Sequence, residues 1–220
     1  MCGTSYWAMD EKGYLIREEK LKTELAELRA AALRQTQFIG ASTVMRQSVR
    51  KHFPDFYRNY FINAFADADL ACLILDQQKA TNIPESLYFY RIVRNSDSRR
   101  KKMTVRNLNI HLLIGFLSGQ RKAYGKDCLQ RNASHEADEF MKTVQVRYDA
   151  DKSLIFRHQA FFHLYWRVND LAFQNGLKAF STRPLYWKNI LSLGLIVFRI
   201  GVFLLTRGFN KKHYSQLINP

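Results

Sequence analysis

The sequence predicts a mixed α/β fold, rich in helix, in which a few strands come first and helices follow. Three observations carry this expectation. Short apolar blocks bounded by turn residues lie at 6–16, 37–46 and 81–93; apolar residues recur at spacings of three and four over 67–79 and again from 103 onward; and an apolar run lies between Ile190 and Leu205.

Taken in order, 6–16 holds the polar cluster Asp10-Glu11-Lys12-Gly13 between aromatic and aliphatic residues, which predicts a short hairpin. Leu21, Leu25, Leu28 and Ala32 then predict a helix over 17–34, with Glu18 and Lys22 in favourable i,i+4 order. The block 37–46 predicts a strand whose small residues Gly40, Ala41 and Ser42 admit close approach to the backbone or a bulge. A short helix over 46–52, ended by Pro54, precedes the aromatic stretch Tyr57, Tyr60, Phe61 and Phe65. Asp67 is placed to cap a helix that carries Leu70, Leu73, Ile74 and Gln77 on one side. Strand returns over 81–93, and Asn95-Ser96-Asp97-Ser98 breaks it. Beyond the basic run 99–102 the pattern is helical: Leu108, Leu112, Leu113, Phe116 and Leu117 form one face, 134–146 another helix, and 153–180 an aromatic amphipathic helix weakened at Gly176.

Composition narrows the function classes. The 220 residues are 47% hydrophobic and 14% aromatic, enough for a folded core. A charge of +15, from 34 Lys and Arg against 19 Asp and Glu, suits phosphates, nucleotide-sugars or anionic lipid. Cys2, Cys72 and Cys128 are odd in number and widely spaced, so neither a disulfide framework nor a metal finger is indicated, and a reducing cytoplasm is the expected home. Residues 1–13 lack the basic start and apolar run of a secretory signal. His158 and His163 stand five apart, off the spacing for two ligands on one helical face.

One constellation points to chemistry. Gly40-Ala41-Ser42, then Ala66-Asp67-Ala68-Asp69-Leu70, then Pro84-Glu85-Ser86-Leu87-Tyr88-Phe89-Tyr90-Arg91 with Asn95-Ser96-Asp97-Ser98 behind it, together resemble the acceptor-side half of a family 2 glycosyltransferase. The resemblance covers nearly all the chain and is most specific between Phe38 and Arg99. It implies an incomplete GT-A-like core over 1–100, a helical extension over 101–183, and a tail over 184–220. It also implies that Asp67 is the base taking the acceptor hydroxyl's proton, that Asp69, Gly40, Ala41 and Ser42 support the acceptor, and that Arg91, Arg94 and Arg99 are candidates for the departing diphosphate. Ala66 stands where the family carries an acidic residue.

The segment ahead of Phe38 is too short for the Rossmann-like donor half, whose Asp-x-Asp holds Mg or Mn on the diphosphate. The pattern Asp-x-Asp occurs at Asp67-Ala68-Asp69 and Asp149-Ala150-Asp151, but neither follows a strand of a βαβ unit. The expectation is therefore a chain that binds no metal and no nucleotide-sugar by itself, with a glycan or lipid-linked acceptor as partner. Two alternatives stay open: a basic nucleic-acid binder, for which no recognisable module is present, and a non-catalytic membrane-associated scaffold. Ile190 to Leu205 would be ~24 Å of helix, short of a ~30 Å crossing. With Arg199 inside it, Tyr186 and Trp187 at one end and Lys188, Arg207, Lys211 and Lys212 around it, the run is expected to anchor the protein on the inner face of the cytoplasmic membrane, or to pack as a buried helix.

Overall fold

The computed structural model describes residues 1–53, 56–62, 65–93, 103–207 and 212–218. The chain forms two compact units that alternate along the sequence: 1–8, 17–90 and 109–142 make the first, and 9–16, 91–108 and 143–220 the second. The fold is mixed α/β, with a small three-stranded sheet and a helix-rich C-terminal part.

The sheet has the order β2-β1-β3, from β1 (Cys2–Met9), β2 (Leu15–Glu19) and β3 (Thr81–Arg91). The expected hairpin forms between the first two. The Asp10 carboxylate accepts from the amides of Lys12 and Tyr14, both at 2.9 Å, and Gly13 takes φ 87, where a Cβ would also lie 2.7 Å from His213 Nε2. β3 runs parallel to β1, since the Thr81 amide donates to Met1 O and the Ile92 amide to Met9 O. Eight steps along β1 face eleven along β3, and the excess gathers at Pro84, which has no amide to give. Thr4 fills the break: its hydroxyl donates to Glu85 O at 2.7 Å and accepts from the Leu87 amide at 3.2 Å.

α3 (Ala66–Gln77) is the central helix of the first unit, buried without interruption from Ala68 to Leu75. Ala71 and Leu75 pack with Leu28 and Ala32 of α1 (Leu25–Ala32) and with Phe38. Leu70, Leu73 and Ile74 meet Phe53, after α2 (Gln47–His52). Ala68 and Cys72 meet Ile110, Leu113, Ile114 and Leu117. Those four lie on α5 (Ile110–Tyr124), which follows the short α4 (Val105–Leu108). α6 (Ser134–Ala150) stacks Phe140 on Phe116, with ring centroids 4.5 Å apart.

Three expectations in this unit are corrected. The helix over 17–34 begins only at Leu25, because Arg17 to Glu19 belong to β2 and Leu21 is tied in by its amide to Ser5 Oγ at 3.0 Å. The ion pairs there are Lys20–Glu18 and Lys22–Glu27 rather than Glu18–Lys22. The strand over 37–46 is instead a 3-10 turn at Gly40–Ser42, with a single bridge from Val44 to Cys2. The hydroxyls of Ser42 and Thr43 both donate to Ile39 O, a local alternative that outcompetes a ladder. Finally, Phe65, not Asp67, is the residue before α3, at φ 63.

In the second unit the single helix expected over 153–180 is two, α7 (Leu154–Tyr165) and α8 (Asn169–Thr182), parted where Arg167 adopts φ 59. Gly176 does not weaken α8; it lets α9 (Trp187–Arg207) approach, and a Cβ there would lie 3.1 Å from Ile196 Cδ1 and 3.2 Å from Leu193 Cδ1. Asn189, fully buried, locks this hairpin by donating to Ala179 O and Arg183 O. Its Oδ1 accepts from Ser153 Oγ and Arg157, and Arg157 also pairs with Asp151 at 2.6 Å. α10 (Ser215–Ile218) follows a segment that closes on the hairpin turn. Tyr14 bridges His213, the Leu15 amide donates to Lys212 O, and the Tyr214 amide donates to Gly13 O.

Candidate functional site

The first turn of α3 is where the sequence places its chemistry, and it has an unusual entry. Phe65 is a bulky residue in the left-handed region, a conformation that costs on the order of 1 kcal/mol or more and persists only where its surroundings impose it. Four residues on, the Asp69 amide donates to Phe65 O at 3.1 Å, and the Asp69 carboxylate is forked by Arg58 through Nε at 2.7 Å and through Nη2.

Arg58 is the hub of a buried charge network that spacing alone did not indicate. Its Nη1 donates to both oxygens of Asp127, at 2.9 and 2.7 Å. Asp127 also accepts from Arg121, and Arg121 pairs with Asp76 at 2.6 Å. Ser118 Oγ donates to Asp76, and the amides of Asp127 and Gln130 exchange bonds with each other's side chains. Burial pushes the Asp69 carboxyl above its ordinary value, opposed by the Arg58 fork. Burial also works upward on Asp127, but Arg58, the Gln130 amide and Arg121 outweigh it and hold that carboxyl below the usual carboxylate range. Burial, with Asp76 nearby, pushes the Cys72 thiol up to about 11, which leaves it protonated and a poor nucleophile.

Asp67 stands apart from this network. Its carboxylate is exposed at the tip of the central helix and accepts from the Ala68 amide at 2.9 Å. Its charge acts on His111, half-buried on α5, whose Nδ1 lies 3.1 Å from Ala32 O. A carbonyl only accepts, so Nδ1 carries the proton and Nε2 is left with the lone pair. Burial lowers the His111 proton affinity, against the Ala32 bond and the Asp67 charge.

The remaining candidates are placed as follows. Gly40 and Ala41 are exposed and Ser42 is half-buried, and a Cβ at Gly40 would meet nothing within 4 Å, so that turn faces open space. Arg91, exposed at the end of β3, donates from Nη1 to Glu11 O at 2.8 Å. Arg94 and Arg99 lie outside the described residues. One surface hollow, of about 410 Å³, is lined by Gln120, Tyr124, Arg131 and Glu136, and Asp67 is not among its lining residues.

Neither Asp-x-Asp converges on a cation. Asp67 faces solvent while Asp69 is 1% exposed and engaged by Arg58. Asp149 accepts from Gln145, and Asp151 from Ser153 and Arg157. Among the described residues no three His, Cys, Asp or Glu side chains could hold a metal together. His158 bonds the Tyr148 hydroxyl at 2.8 Å, and His163 is buried in α7.

Arg58, Asp76, Arg121 and Asp127 are the residues that sequence reasoning missed. One signal was available: Asp69, Cys72 and Asp76 fall at i, i+3 and i+7 on a helix whose residues from Ala68 to Leu75 are otherwise apolar, where a charge has to find a buried partner. Comparison with family models, curated proteins and solved structures returned no match.

Proposed function

We propose that this chain forms the acceptor side of an inverting, family 2-like glycosyltransferase that acts on a glycan or lipid-linked acceptor in bacterial polysaccharide synthesis. The observation that carries the reading is the division of labour in the first turn of α3. Asp69 is locked inward by Arg58, and Asp67, two residues earlier, is exposed, its carboxylate accepting from the Ala68 amide. A proton acceptor needs a fixed backbone under a side chain that substrate can reach, and that turn has both features.

In the transfer Asp67 takes the proton of the acceptor hydroxyl as its oxygen bonds the sugar's anomeric carbon and the nucleoside diphosphate leaves from the opposite face. Asp67 is exposed, so water competes with the acceptor hydroxyl for its carboxylate. The reading therefore requires a donor-bearing surface, supplied from outside these residues, to cover Asp67 during turnover. His111 adds a neutral imidazole near the acid, suited to accepting a bond from a sugar hydroxyl through Nε2. The apolar α9 supports a working position against the inner face of the cytoplasmic membrane.

The test is titration of the isotope-labelled chain with short-chain polyisoprenyl diphosphate sugars, read by amide shifts. Shifts centred on Asp67, Ala68 and His111, lost in Asp67→Asn while the rest of the spectrum holds, are expected. Shifts elsewhere, or unchanged by the substitution, would remove Asp67 from the site.

A further inference from the structure

α9 is longer than its apolar run. Its 21 residues span about 31 Å, so length alone no longer excludes a crossing, and only 11% of its apolar window is buried. The packing decides against a crossing. Asn189, Leu193, Ile196 and Ile200 form the stripe that faces the rest of the unit, and along it lies α8, which carries Asp170, Gln174, Asn175 and Lys178. A helix bound along its length to such a neighbour cannot enter hydrocarbon without taking those groups with it.

Around α9 from that stripe, at 100° per residue, the chemistry is sorted. Ile190, Val197 and Leu204 lie on one flank, Trp187, Phe198 and Leu205 point directly away, and Leu191 and Leu195 continue the arc; all are exposed. Lys188 and Arg199, eleven residues apart, share the other flank close to the packed stripe, together with Ser192. Arg199 therefore sits at the border of the apolar arc and not within it. Lys188 Nζ lies 5.6 Å from the Trp187 ring and 5.8 Å from the Tyr186 ring, so cation and aromatics share one end of the helix.

The apolar surface also continues onto α8. Phe173, Val197 and Ile200 line one groove, of about 280 Å³, together with Asn169 and Asp170. Leu177 and Phe180 extend the same face of α8 at i+4 and i+7 from Phe173, and all three are exposed.

We propose that the α8–α9 hairpin is a monotopic membrane-docking face: α9 lies in the plane of an anionic bilayer, with its outer arc and the Phe173–Leu177–Phe180 row of α8 inserted together. Lys188 and Arg199 reach back to the headgroups, and Arg183, over the same Tyr186 ring as Lys188, adds positive charge beside it. The chain's charge of +15 complements acidic phospholipid, and that identifies the occupant as a lipid surface and not a second copy carrying the same charge. This deepens the membrane placement above and is independent of glycosyl transfer.

Flotation of the full chain with vesicles of phosphatidylcholine alone, or mixed with phosphatidylglycerol, tests it. The chain is expected to float with the mixed vesicles and to be released by alkaline carbonate. Phe198→Asp and the α8 pair Phe173→Ser with Leu177→Ser should each lower partitioning about tenfold or more. Val146→Asp, at an exposed site on α6, should change nothing and serves as the folding-neutral control. Lipids brominated near the headgroup should quench Trp187 more than those brominated at the chain end. Carbonate-resistant binding with deep quenching would overturn the proposal in favour of a crossing. Loss with Phe198→Asp but not with the α8 pair would overturn it while leaving membrane attachment by α9 in place. A wild-type chain that stays unbound and sediments as a dimer would overturn both, and assign the face to self-association.

Discussion

Arg58→Met is the substitution with the most to say about the first unit. The change keeps most of the side-chain volume and removes a guanidinium that is 9% exposed and makes four bonds to Asp69 and Asp127. Asp127 keeps Arg121 and the Gln130 amide, whereas Asp69, 1% exposed, loses the fork that held it. Stranding one partner of a buried pair costs about 3–5 kcal/mol. With a urea dependence of about 1–3 kcal/mol per molar, the unfolding midpoint should fall by about 2 M. Trp7, the tryptophan of the first unit, reports this in a background with Trp166 and Trp187 changed to Phe. Adding Asp69→Leu to Arg58→Met removes the stranded charge and should recover about half the loss. A cost under about 1 kcal/mol for Arg58→Met, or strict additivity of the pair, would show that the network is solvated or rearranges, and the account of how α3 is fixed would fall.

Two further outcomes are expected. Burial lowers the His111 proton affinity, so below about pH 6.5 the unfolded chain takes up a proton that the folded chain refuses, and stability falls as pH is lowered through that region. The same Trp7 midpoint, followed from about pH 7.5 to about 5.5, should decline, and His111→Gln should flatten the decline; an unchanged slope would show that His111 is solvated. Gly176→Val places methyl groups where even a Cβ lies 3.1 Å from Ile196, so the α8–α9 hairpin should separate, with a loss of about 1–3 kcal/mol and faster amide exchange in both helices. Protection equal to wild type would contradict the close approach.

Local signals in the sequence were legible and distant ones were not. The hairpin at Asp10–Gly13, the helix after Phe65 and the strand through Leu87-Tyr88-Phe89-Tyr90 each follow from turn chemistry or apolar period within a dozen residues. The segment 37–46 misled because Ser42 and Thr43 satisfy a carbonyl locally, which periodicity does not register. The helix over 17–34 misled because Leu21 is buried through an extended segment at the sheet, which helical spacing mimics. Asp67 and Asp69 were legible as the acids of the turn, but the network that holds Asp69 was not: Arg58 and Asp127 stand 69 residues apart, and nothing in either neighbourhood names the other.

The pinning of Gly13 by Tyr214, and of the Lys12 carbonyl by His213 Nε2 at 3.2 Å, joins parts of the chain 201 residues apart. At about 5–20 residues per second on the ribosome, the turn waits about 10–40 s for the groups that complete it. During that interval the amide of Leu15 has only solvent to bond, and α9 is made only at its close, ending five residues before Lys212. The nascent loop therefore stays unclasped until the greasy helix and the segment after it have both been made.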